Sequence, residues 1–298
     1  MISLSHLSAL AGTYRDELHL PVAPLRVADR TFDVDDTPVI MGCVNLSRDS
    51  TYRESVATST ASAVRKGRVL AAQGADLVDI GAESSTARAR RVGVAEQIAA
   101  LVPVVEQLSA GGVLVSAETY EPAVARACFE AGARVLNFTG SATEDAVFDL
   151  AAEYGATVVL CYVRGADVRE ITDAPVDGDP LPGLLDHFAG RVARAREHGV
   201  ERLVIDPGMG FFYGNLTDPA ARVRHQARVL LHTFRLRRLG LPVCQALPHA
   251  FDLFEDQFRT AEGLFAVLAH LGGTGVFRTH EVPQVRAVLG ALHTLDAG

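Results

Sequence analysis

Eight short apolar runs recur along the chain. The first is PVIMGCVNL at 38–46, and the other seven each follow one or more glycines: LVDIG, VLVSAE, RVLNF, TVVLCY, RLVID, PVCQAL and VFRTH. A continuous apolar run of this length is typical of a strand covered on both faces. A glycine just before the run suits the left-handed residue that closes a preceding helix. The pattern predicts eight buried strands that alternate with helices.

The segments between the runs keep the three-four spacing of a helix with one buried face. The spacing holds for Ile98, Leu101, Val102, Val105 and Leu108, and it recurs over 147–154, 185–195, 223–234, 264–271 and 285–292. Eight such units in about 260 residues have the size of a (β/α)8 TIM barrel in the α/β class. An open doubly wound sheet alternates in the same way, but the first strand–helix turn lacks the GxGxxG of dinucleotide-binding folds.

Residues 1–37 lie outside this repeat. Helical propensity around 5–18 and the polar DVDD at 33–36 predict a leading helix and short strands that cap the barrel floor. The segment TDAPVDGDPLPG at 172–183 reads as a loop after the fifth strand, because it is rich in Pro, Asp and Gly. We therefore predict a short N-terminal extension over 1–37 that caps one barrel domain over 38–298.

Polar side chains recur where the predicted strands end, which is where this barrel carries its chemistry. They are Asn45, Glu83, Glu118, Asn137, Asp206, Gln245, Arg278 and His280. One terminal Asn or Asp is commonly a helix cap or a turn residue, but packing alone does not explain the whole ring. We interpret the ring as a site, in which Glu83 and Gln245 are the members most typical of caps or supporting groups.

The ring divides into two chemical halves. Glu118, Asn137 and Asp206 supply acceptors for a flat heterocycle rich in N–H donors. The other half, Asn45, Arg278 and His280, is suited to an anion such as a phosphate ester or pyrophosphate. Because side-chain direction in a strand has a period of two residues, Arg278 and His280 should point the same way. The alternative for that strand end is a solvated segment before the last helix.

Composition excludes several classes of function. The chain is 48% apolar, and its 28 basic and 36 acidic residues give a net charge of −8, which argues against nucleic-acid and anionic-lipid partners. No run approaches the roughly 20 apolar residues of a membrane span, and the N-terminus lacks a basic leader. The four cysteines are far apart and form no CxxC pair. We expect a cytoplasmic protein with reduced thiols and no membrane partner.

Five segments, in order, resemble dihydropteroate synthase, the pterin-binding barrel of folate synthesis. They are MGCVNLSRDS at 41–50, GADLVDIGAESS at 74–85, SAETYEPAVARACFEAGARVLNF at 116–138, VIDPGMGF at 204–211 and FRTHEV at 277–282. The resemblance runs from about 38 to 295 and marks a divergent member of the family. It implies a transferase in which an arylamine displaces pyrophosphate from a 6-hydroxymethylpterin pyrophosphate. It also implies a Mg²⁺ cofactor and a homodimer.

The resemblance assigns catalytic roles to three matching residues. Asn45 matches the asparagine that contacts the pyrophosphate and its Mg²⁺, so it is the implied metal residue. Arg278 and His280 match the pair that binds the leaving pyrophosphate. The substrate-binding set that follows is Glu118, which stands where the family has Asp, together with Asn137, Asp206, Ser85, Gln245 and His249.

The departures from the family lie mainly on the nucleophile side. After the seventh strand the family has Ser-Arg-Lys, whose lysine lies against the pterin, whereas this chain reads QALPHAFDLF with His249 in that stretch. The only lysine in the sequence is Lys66. The second loop reads Ser84-Ser85-Thr86-Ala87 instead of Ser-Thr-Arg-Pro, and its arginines, including Arg88, follow downstream.

The loop arginines predict a second substrate that is acidic or bears a carboxylate. They are Arg48, Arg53, Arg88, Arg90 and Arg91. The alternative is a solvated basic face. Leu289, Leu292 and Leu295 of the last helix are candidates for a dimer interface, although they suit packing against the barrel equally well.

Three functions remain open at this point. The first is a pterin-type transferase that joins its electrophile to an amine or another nucleophile. The second is a paralogue that binds a pterin or phosphate ester without turnover, in a regulatory or specialised-pathway role. The third is a methyltransferase of the related methyl-folate barrel class. The resemblance favours the first.

Overall fold

The computed structural model describes residues 2–86, 89–170, 172–176 and 178–296. Its central sheet is a barrel of eight parallel strands. Two strands of the N-terminal extension come first in the chain, so the barrel strands are numbered from β3. They are β3 Val39–Asn45, β4 Leu77–Gly81, β5 Val115–Thr119, β6 Val135–Phe138, β7 Thr157–Cys161, β8 Arg202–Asp206, β9 Cys244–Ala246 and β10 Val276–Thr279. Their order is β8-β7-β6-β5-β4-β3-β10-β9, and a parallel bridge from Ile205 to Val243 closes the ring. The predicted (β/α)8 barrel is confirmed.

Helices surround the barrel and carry its outer core. After α1 Leu4–Thr13 they are α2 Thr60–Ala72, α3 Val94–Ala110, α4 Pro122–Glu130, α5 Glu144–Glu153, α6 Leu181–Glu197, α7 Pro219–His232, α8 Phe251–Phe254, α9 Ala261–Leu271 and α10 Val282–Asp296. Short 3-10 turns lie at Arg15–Glu17, Arg53–Ser55, Thr233–Leu239 and Glu255–Thr260. The predicted loop at 172–183 ends three residues early, because α6 begins at Leu181.

Glycines with positive φ separate helices from strands, as the sequence pattern predicts. Gly74 after α2 has φ 101°, and Gly132 after α4 has φ 115°. L-residues rarely adopt this conformation, so glycine there ends the helix and sends the chain into the next strand. The same feature recurs before five other strands, at Gly112, Gly155, Gly199, Gly240 and Gly273.

The N-terminal extension closes the amino-terminal end of the barrel. Strands β1 Leu25–Val27 and β2 Arg30–Phe32 form an antiparallel hairpin. Leu25, Val27 and Val34 are buried against residues that fill the barrel interior, including Met41 and Val276. The predicted capping extension is thus present, and the polar chemistry is left to the opposite end. The division into domains at residue 37 stays a prediction.

Alternate strand residues face the barrel interior. On β9, Cys244 packs in the interior cluster and Ala246 lines the cavity at the carboxyl end. On β10, Val276 lies in the interior and Arg278 reaches the cavity. This two-residue period decides which polar side chains reach the cavity. In the described parts of the chain, no helix is both long and apolar enough to cross a membrane.

Candidate active site

A cavity opens at the carboxyl ends of the barrel strands. Eight of the nine predicted site residues line it: Asn45, Ser85, Glu118, Asn137, Asp206, His249, Arg278 and His280. Tyr52 lies in the loop between β3 and α2, residues 46–59, which we call the first loop. Together with Phe211 and Phe212 after β8, it adds apolar walls to the cavity. Acceptors for N–H donors and groups for an anion therefore share one cavity, as the strand ends predicted.

Three acidic residues form a group that we call the carboxylate cluster: Glu118 and Asp206, which line the cavity, and Asp79, which is buried and contacts Arg278. Asp79 accepts hydrogen bonds from Ser116 Oγ at 2.6 Å, Asn137 Nδ2 at 3.0 Å and Arg278 Nε at 2.8 Å. Arg278 also donates through Nη2 to Glu118 Oε2 at 2.5 Å. The guanidinium thus neutralises two carboxylates that would otherwise be buried without a countercharge.

Burial changes the acidity of this cluster. It raises the pKa of Glu118 to about 7, although the charge of Arg278 opposes the shift. Burial also raises the pKa of Asp206 to about 6, against the backbone N–H of Gly208, which donates to Asp206 Oδ1 at 2.8 Å. Both groups therefore change charge near neutral pH. N–H donors of a ligand would favour their ionised forms.

The first loop holds Asn45 in one orientation. Its Nδ2 donates to Ser50 Oγ at 2.9 Å and to Ser55 Oγ at 2.6 Å. Since Ser55 gives its own proton to the carbonyl of Tyr52 at 2.7 Å, its oxygen must accept from Asn45. The amide nitrogen is thus committed to the loop, and the side-chain oxygen is the atom left for a ligand.

A second group, the histidine–glutamate cluster, consists of His249, Glu262 and His280. Glu262, at the start of α9, is 1% exposed, and its Oε1 lies 3.1 Å from His249 Nδ1 and 3.2 Å from His280 Nδ1. Burial would raise the pKa of Glu262, but the hydrogen bonds from both histidines hold it well below its usual range. Burial lowers the pKa of His280 to about 4.

Tyr52 packs the first loop onto this cluster. Its ring stacks on His280 with centroids 4.6 Å apart and lies 4.8 Å from the ring of His249. Its hydroxyl donates to Glu281, which also accepts from Arg259 Nη1 at 2.8 Å. The loop and the two imidazoles are therefore held as one packed unit.

None of the loop arginines that the structure describes lines the cavity. Arg90 pairs with Glu96 at 2.5 Å and Arg91 with Asp167 at 3.0 Å, both at the surface. Arg48 is exposed and does not line the cavity, and Arg88 lies outside the described residues. Neighbouring acids pair with Arg90 and Arg91, and the predicted carboxylate-binding role of the loop arginines stays a prediction.

Gln245 is the one predicted site residue that does not line the cavity, and its substrate-binding assignment stays a prediction. Its neighbours on β9 face the barrel interior, so the two-residue period turns Gln245 outward. There it is fully buried and donates to Thr233 Oγ1 at 2.7 Å. Glu83 likewise acts as a support, accepting from the backbone of Val92 at 2.8 Å and from the hydroxyl of Tyr120.

Two residues that complete the site were not singled out from the sequence. Asp79 had a signal, since it is a charged residue within the apolar run LVDIG of β4. Glu262 had none, because an acidic residue in the first turn of a helix is typical of a solvated helix start. Only the contact of α9 with the loop after β10 shows that Glu262 faces inward.

The sequence pattern that defines the family of pterin binding enzymes matches residues 41–280, which is most of the chain. The chain belongs to this family. Family members among the curated proteins include the dihydropteroate synthase of Escherichia coli, 28% identical over 87% of this chain and 93% of the relative. Inactive dihydropteroate synthase 2 of Mycobacterium tuberculosis is 31% identical over 85% of this chain and 81% of the relative. A probable bifunctional folylpolyglutamate synthase/dihydropteroate synthase of Halobacterium salinarum is 29% identical, and the match spans 34% of its length.

A solved family structure has the same architecture. The dihydropteroate synthase of Xanthomonas albilineans with 4-aminobenzoic acid superposes with a TM-score of 0.78 at 30% identity, covering 93% of this chain and 99% of that one. Pterin-binding family membership, predicted from five motifs, is thus confirmed. The relatives are named both as dihydropteroate synthases and as inactive dihydropteroate synthase 2, so the names alone do not decide whether this chain turns substrate over.

Proposed function

We propose that this chain is a dihydropteroate synthase-like transferase, which joins a 6-hydroxymethylpterin pyrophosphate-type electrophile to an arylamine or a related nucleophile. The carrying observation is that Glu118, Asn137 and Asp206 line the same cavity as Asn45 and His280. One end then suits a heterocycle and the other a polyanion. Relatives named dihydropteroate synthase support this assignment, including the Xanthomonas synthase with 4-aminobenzoic acid.

The carboxylate cluster would bind the ring. Ionised Asp206 and Glu118 accept N–H groups of the pterin, and Asn137 is oriented by Asp79 and by Cys161, whose Sγ donates to Asn137 Oδ1 at 3.1 Å. The same negative charges favour positive charge that develops on the methylene carbon. Arg278 keeps the carboxylates compatible with burial.

At the other end, Asn45, Arg278 and His280 would stabilise the leaving group. The bond between the methylene carbon and the pyrophosphate oxygen breaks, a bond to the amine nitrogen forms, and the amine loses one proton to solvent. Arg278 lies between the two ends: its Nε and Nη2 contact the carboxylates, and its side chain is 17% exposed at the cavity. The cationic side chain can therefore attract an anion without leaving its partners.

The donor set also fits the Mg²⁺ that the family resemblance implies. The free side-chain oxygen of Asn45 is a hard ligand of the kind Mg²⁺ prefers, and a magnesium site commonly uses one or two protein ligands beside substrate phosphates. When bound, the ion would neutralise charge on the departing pyrophosphate. Asn45 is the residue that would hold it.

Calorimetric titration with a 6-hydroxymethylpterin pyrophosphate analogue, with and without Mg²⁺, tests the proposal. We expect binding that Mg²⁺ strengthens, followed by product formation when p-aminobenzoate is supplied with the substrate. Absence of binding to the folded chain would overturn the pterin assignment. Binding that is indifferent to Mg²⁺ would count against Asn45 as the metal residue.

A matched pair of variants tests whether Asp206 binds the pterin ring. Asp206→Asn keeps the size of the side chain but removes the charge, and we expect roughly 10- to 100-fold weaker binding of the analogue, since hydrogen bonds to charged groups contribute about 1.5–3 kcal/mol. Asp186→Asn, on the exposed face of α6, should leave affinity unchanged. Equal affinities for both variants would contradict the assignment.

One observation favours a second candidate, a pterin-binding protein without synthase turnover. His249 lines the cavity where the family resemblance leads one to expect a lysine, and Lys66, the chain's single lysine, lies on α2 and donates to the carbonyl of Glu54. Inactive synthase 2 of Mycobacterium tuberculosis is a family precedent for such a role. Tight binding of the analogue with no product from any arylamine would select this candidate.

We also propose a homodimer and a cytoplasmic location, in keeping with the family resemblance. Of the leucines suggested for the interface, Leu289 is 6% exposed and packs in the core of its own chain, so it is unsuited. Leu295 is 76% exposed and stays a candidate. Light scattering of the wild type and of Leu295→Asp tests the assignment, with a shift to monomer expected for the variant.

A further inference from the structure

The histidine–glutamate cluster has a geometry that hydrogen bonding to a pterin or pyrophosphate does not explain. Its three side chains come from three separate places: His249 from the loop after β9, Glu262 from the first turn of α9 and His280 from the end of β10. One ring nitrogen of each histidine and one oxygen of Glu262 all lie within 4.8 Å of one another.

We propose that His249, Glu262 and His280 bind a divalent transition metal ion of the zinc type. The two Nδ1 atoms lie 3.1 Å and 3.2 Å from Glu262 Oε1. Two ligands bonded at about 2.0–2.1 Å to one tetrahedral zinc ion lie roughly 3.3 Å apart. The two nitrogen–oxygen separations therefore suit a shared ion, and the two histidine nitrogens, which lie within 4.8 Å of each other, would have to come no nearer than about 3.3 Å.

The carboxylate is held in place by its second oxygen. Glu262 Oε2 accepts from the backbone N–H of His280 at 3.0 Å and from the hydroxyl of Thr279. This leaves Oε1 directed at the two imidazoles. Outer hydrogen bonds that fix a ligand's orientation are a regular feature of protein metal sites.

The rings are fixed as well. Tyr52 stacks on His280 and contacts His249, and the two imidazoles meet edge to face with centroids 4.7 Å apart. A site whose ligands are already positioned loses little conformational freedom when the ion binds. The cluster is therefore preorganised.

The donor set selects the class of metal. Two imidazoles and one carboxylate suit zinc and its first-row neighbours, whereas Mg²⁺ prefers oxygen ligands. A site with three protein ligands leaves a fourth position for water or substrate. His249 and His280 line the cavity, so that position would be available to an oxygen of a cavity ligand.

This site is separate from the proposed Mg²⁺ contact at Asn45 and does not depend on pterin chemistry. The test is titration of the chelator-treated, tag-free full chain with ZnCl₂ in a calorimeter, with MgCl₂ as the contrast. We expect one zinc ion per chain and no Mg²⁺ binding that depends on His249. Titration with Co²⁺ should give the visible absorption of a tetrahedral site, and added pyrophosphate should change that spectrum through the open position.

Variants decide between this site and adventitious binding. His249→Ala and Glu262→Gln should each weaken zinc binding by more than about 100-fold, since loss of a mere outer partner costs about 10- to 100-fold. His249→Gln provides a second test if His249→Ala is poorly folded. Asn45→Ala should bind zinc as the wild type does.

His198→Ala is the matched control, because that histidine lies near Asp145 and Asp149 on the surface. No zinc uptake by folded wild-type protein would overturn the proposal and leave a purely hydrogen-bonded cluster. Uptake that survives His249→Ala and His249→Gln, or that disappears in His198→Ala, would also overturn it.

Discussion

The two ends of the cavity are built differently. Asp79, Glu118 and Asp206 of the carboxylate cluster lie on barrel strands, and the arginine that neutralises them lies on a strand as well. The histidine–glutamate cluster combines a loop, a helix start and one strand end. Strand positions are fixed by the hydrogen-bonded barrel, whereas loops can change sequence without disturbing it.

The difference shows how a family fold can keep one half of a site while the other diverges. The half that we propose binds the ring agrees with the synthase resemblance at Asn137 and Asp206, with Glu118 in place of Asp. The half around His249 departs from it, and the departure extends to a buried glutamate that contacts both histidines. The chemistry of this protein therefore depends on how far the second half has changed role.

The largest expected effect comes from removing the countercharge of the carboxylate cluster. Arg278→Ala leaves Asp79 and Glu118 buried without their guanidinium partner, and loss of one member of a buried ion pair costs about 3–5 kcal/mol of unfolding free energy. Urea unfolding measures this. Arg194→Ala, which breaks the exposed pair with Asp145, should leave stability nearly unchanged. Similar midpoints for the two variants would mean that Arg278 does not compensate the buried charges.

The second prediction concerns His249, in the half of the cavity that departs from the family resemblance. His249→Lys restores a cation where the family resemblance places one, and a single close donor is worth about 10²–10³ in rate. We expect the rate of product formation from p-aminobenzoate to rise about 100-fold. His198→Lys, at the surface, controls for added charge. An unchanged rate in a folded His249→Lys protein would show that the lost lysine does not limit turnover.

The sequence could predict more of the carboxylate cluster than of the histidine–glutamate cluster, because the first lies on regular strands and the second depends on a loop and on helix packing. Strand residues follow a period of two, so the inward position of Glu118, Asn137 and Asp206 was predictable once the strands were found. The same period places Gln245 outward, but the strand end on its own does not reveal the phase. Glu262 depends on how α9 packs against a loop, which no local pattern encodes. The pairing of Arg278 with Asp79 and Glu118 likewise depends on how β10, β4 and β5 come together in the barrel, which the sequence of any one strand does not show.

The third prediction uses the acidity of the carboxylate cluster. The pKa of Asp206 is raised to about 6, so the carboxylate that accepts a ligand N–H is present above that pH and is lost below it. The part of the affinity for the pterin analogue that depends on Asp206 should fall about fivefold between pH 6 and pH 5, because the ionised fraction of that carboxyl falls from about one half to about one eleventh. The Asp206→Asn variant should not show this fall in affinity between pH 6 and pH 5. Affinity that is constant from pH 7 to pH 5 would exclude the assigned role.

The smallest expected effect tests how firmly the first loop is held on the histidine–glutamate cluster. Tyr52→Phe keeps the ring stack on His280 but removes the hydroxyl that donates to Glu281, which still pairs with Arg259. A hydrogen bond of this kind contributes about 1 kcal/mol, which corresponds to a fall in Tm of about 2 °C for a chain of this size. Tyr154→Phe removes a comparable contact to Glu130 at the surface and should change Tm less. Because the ring stays in place, zinc binding should be nearly unchanged in Tyr52→Phe; a large loss would show that the hydroxyl, and not only the ring, positions the two imidazoles.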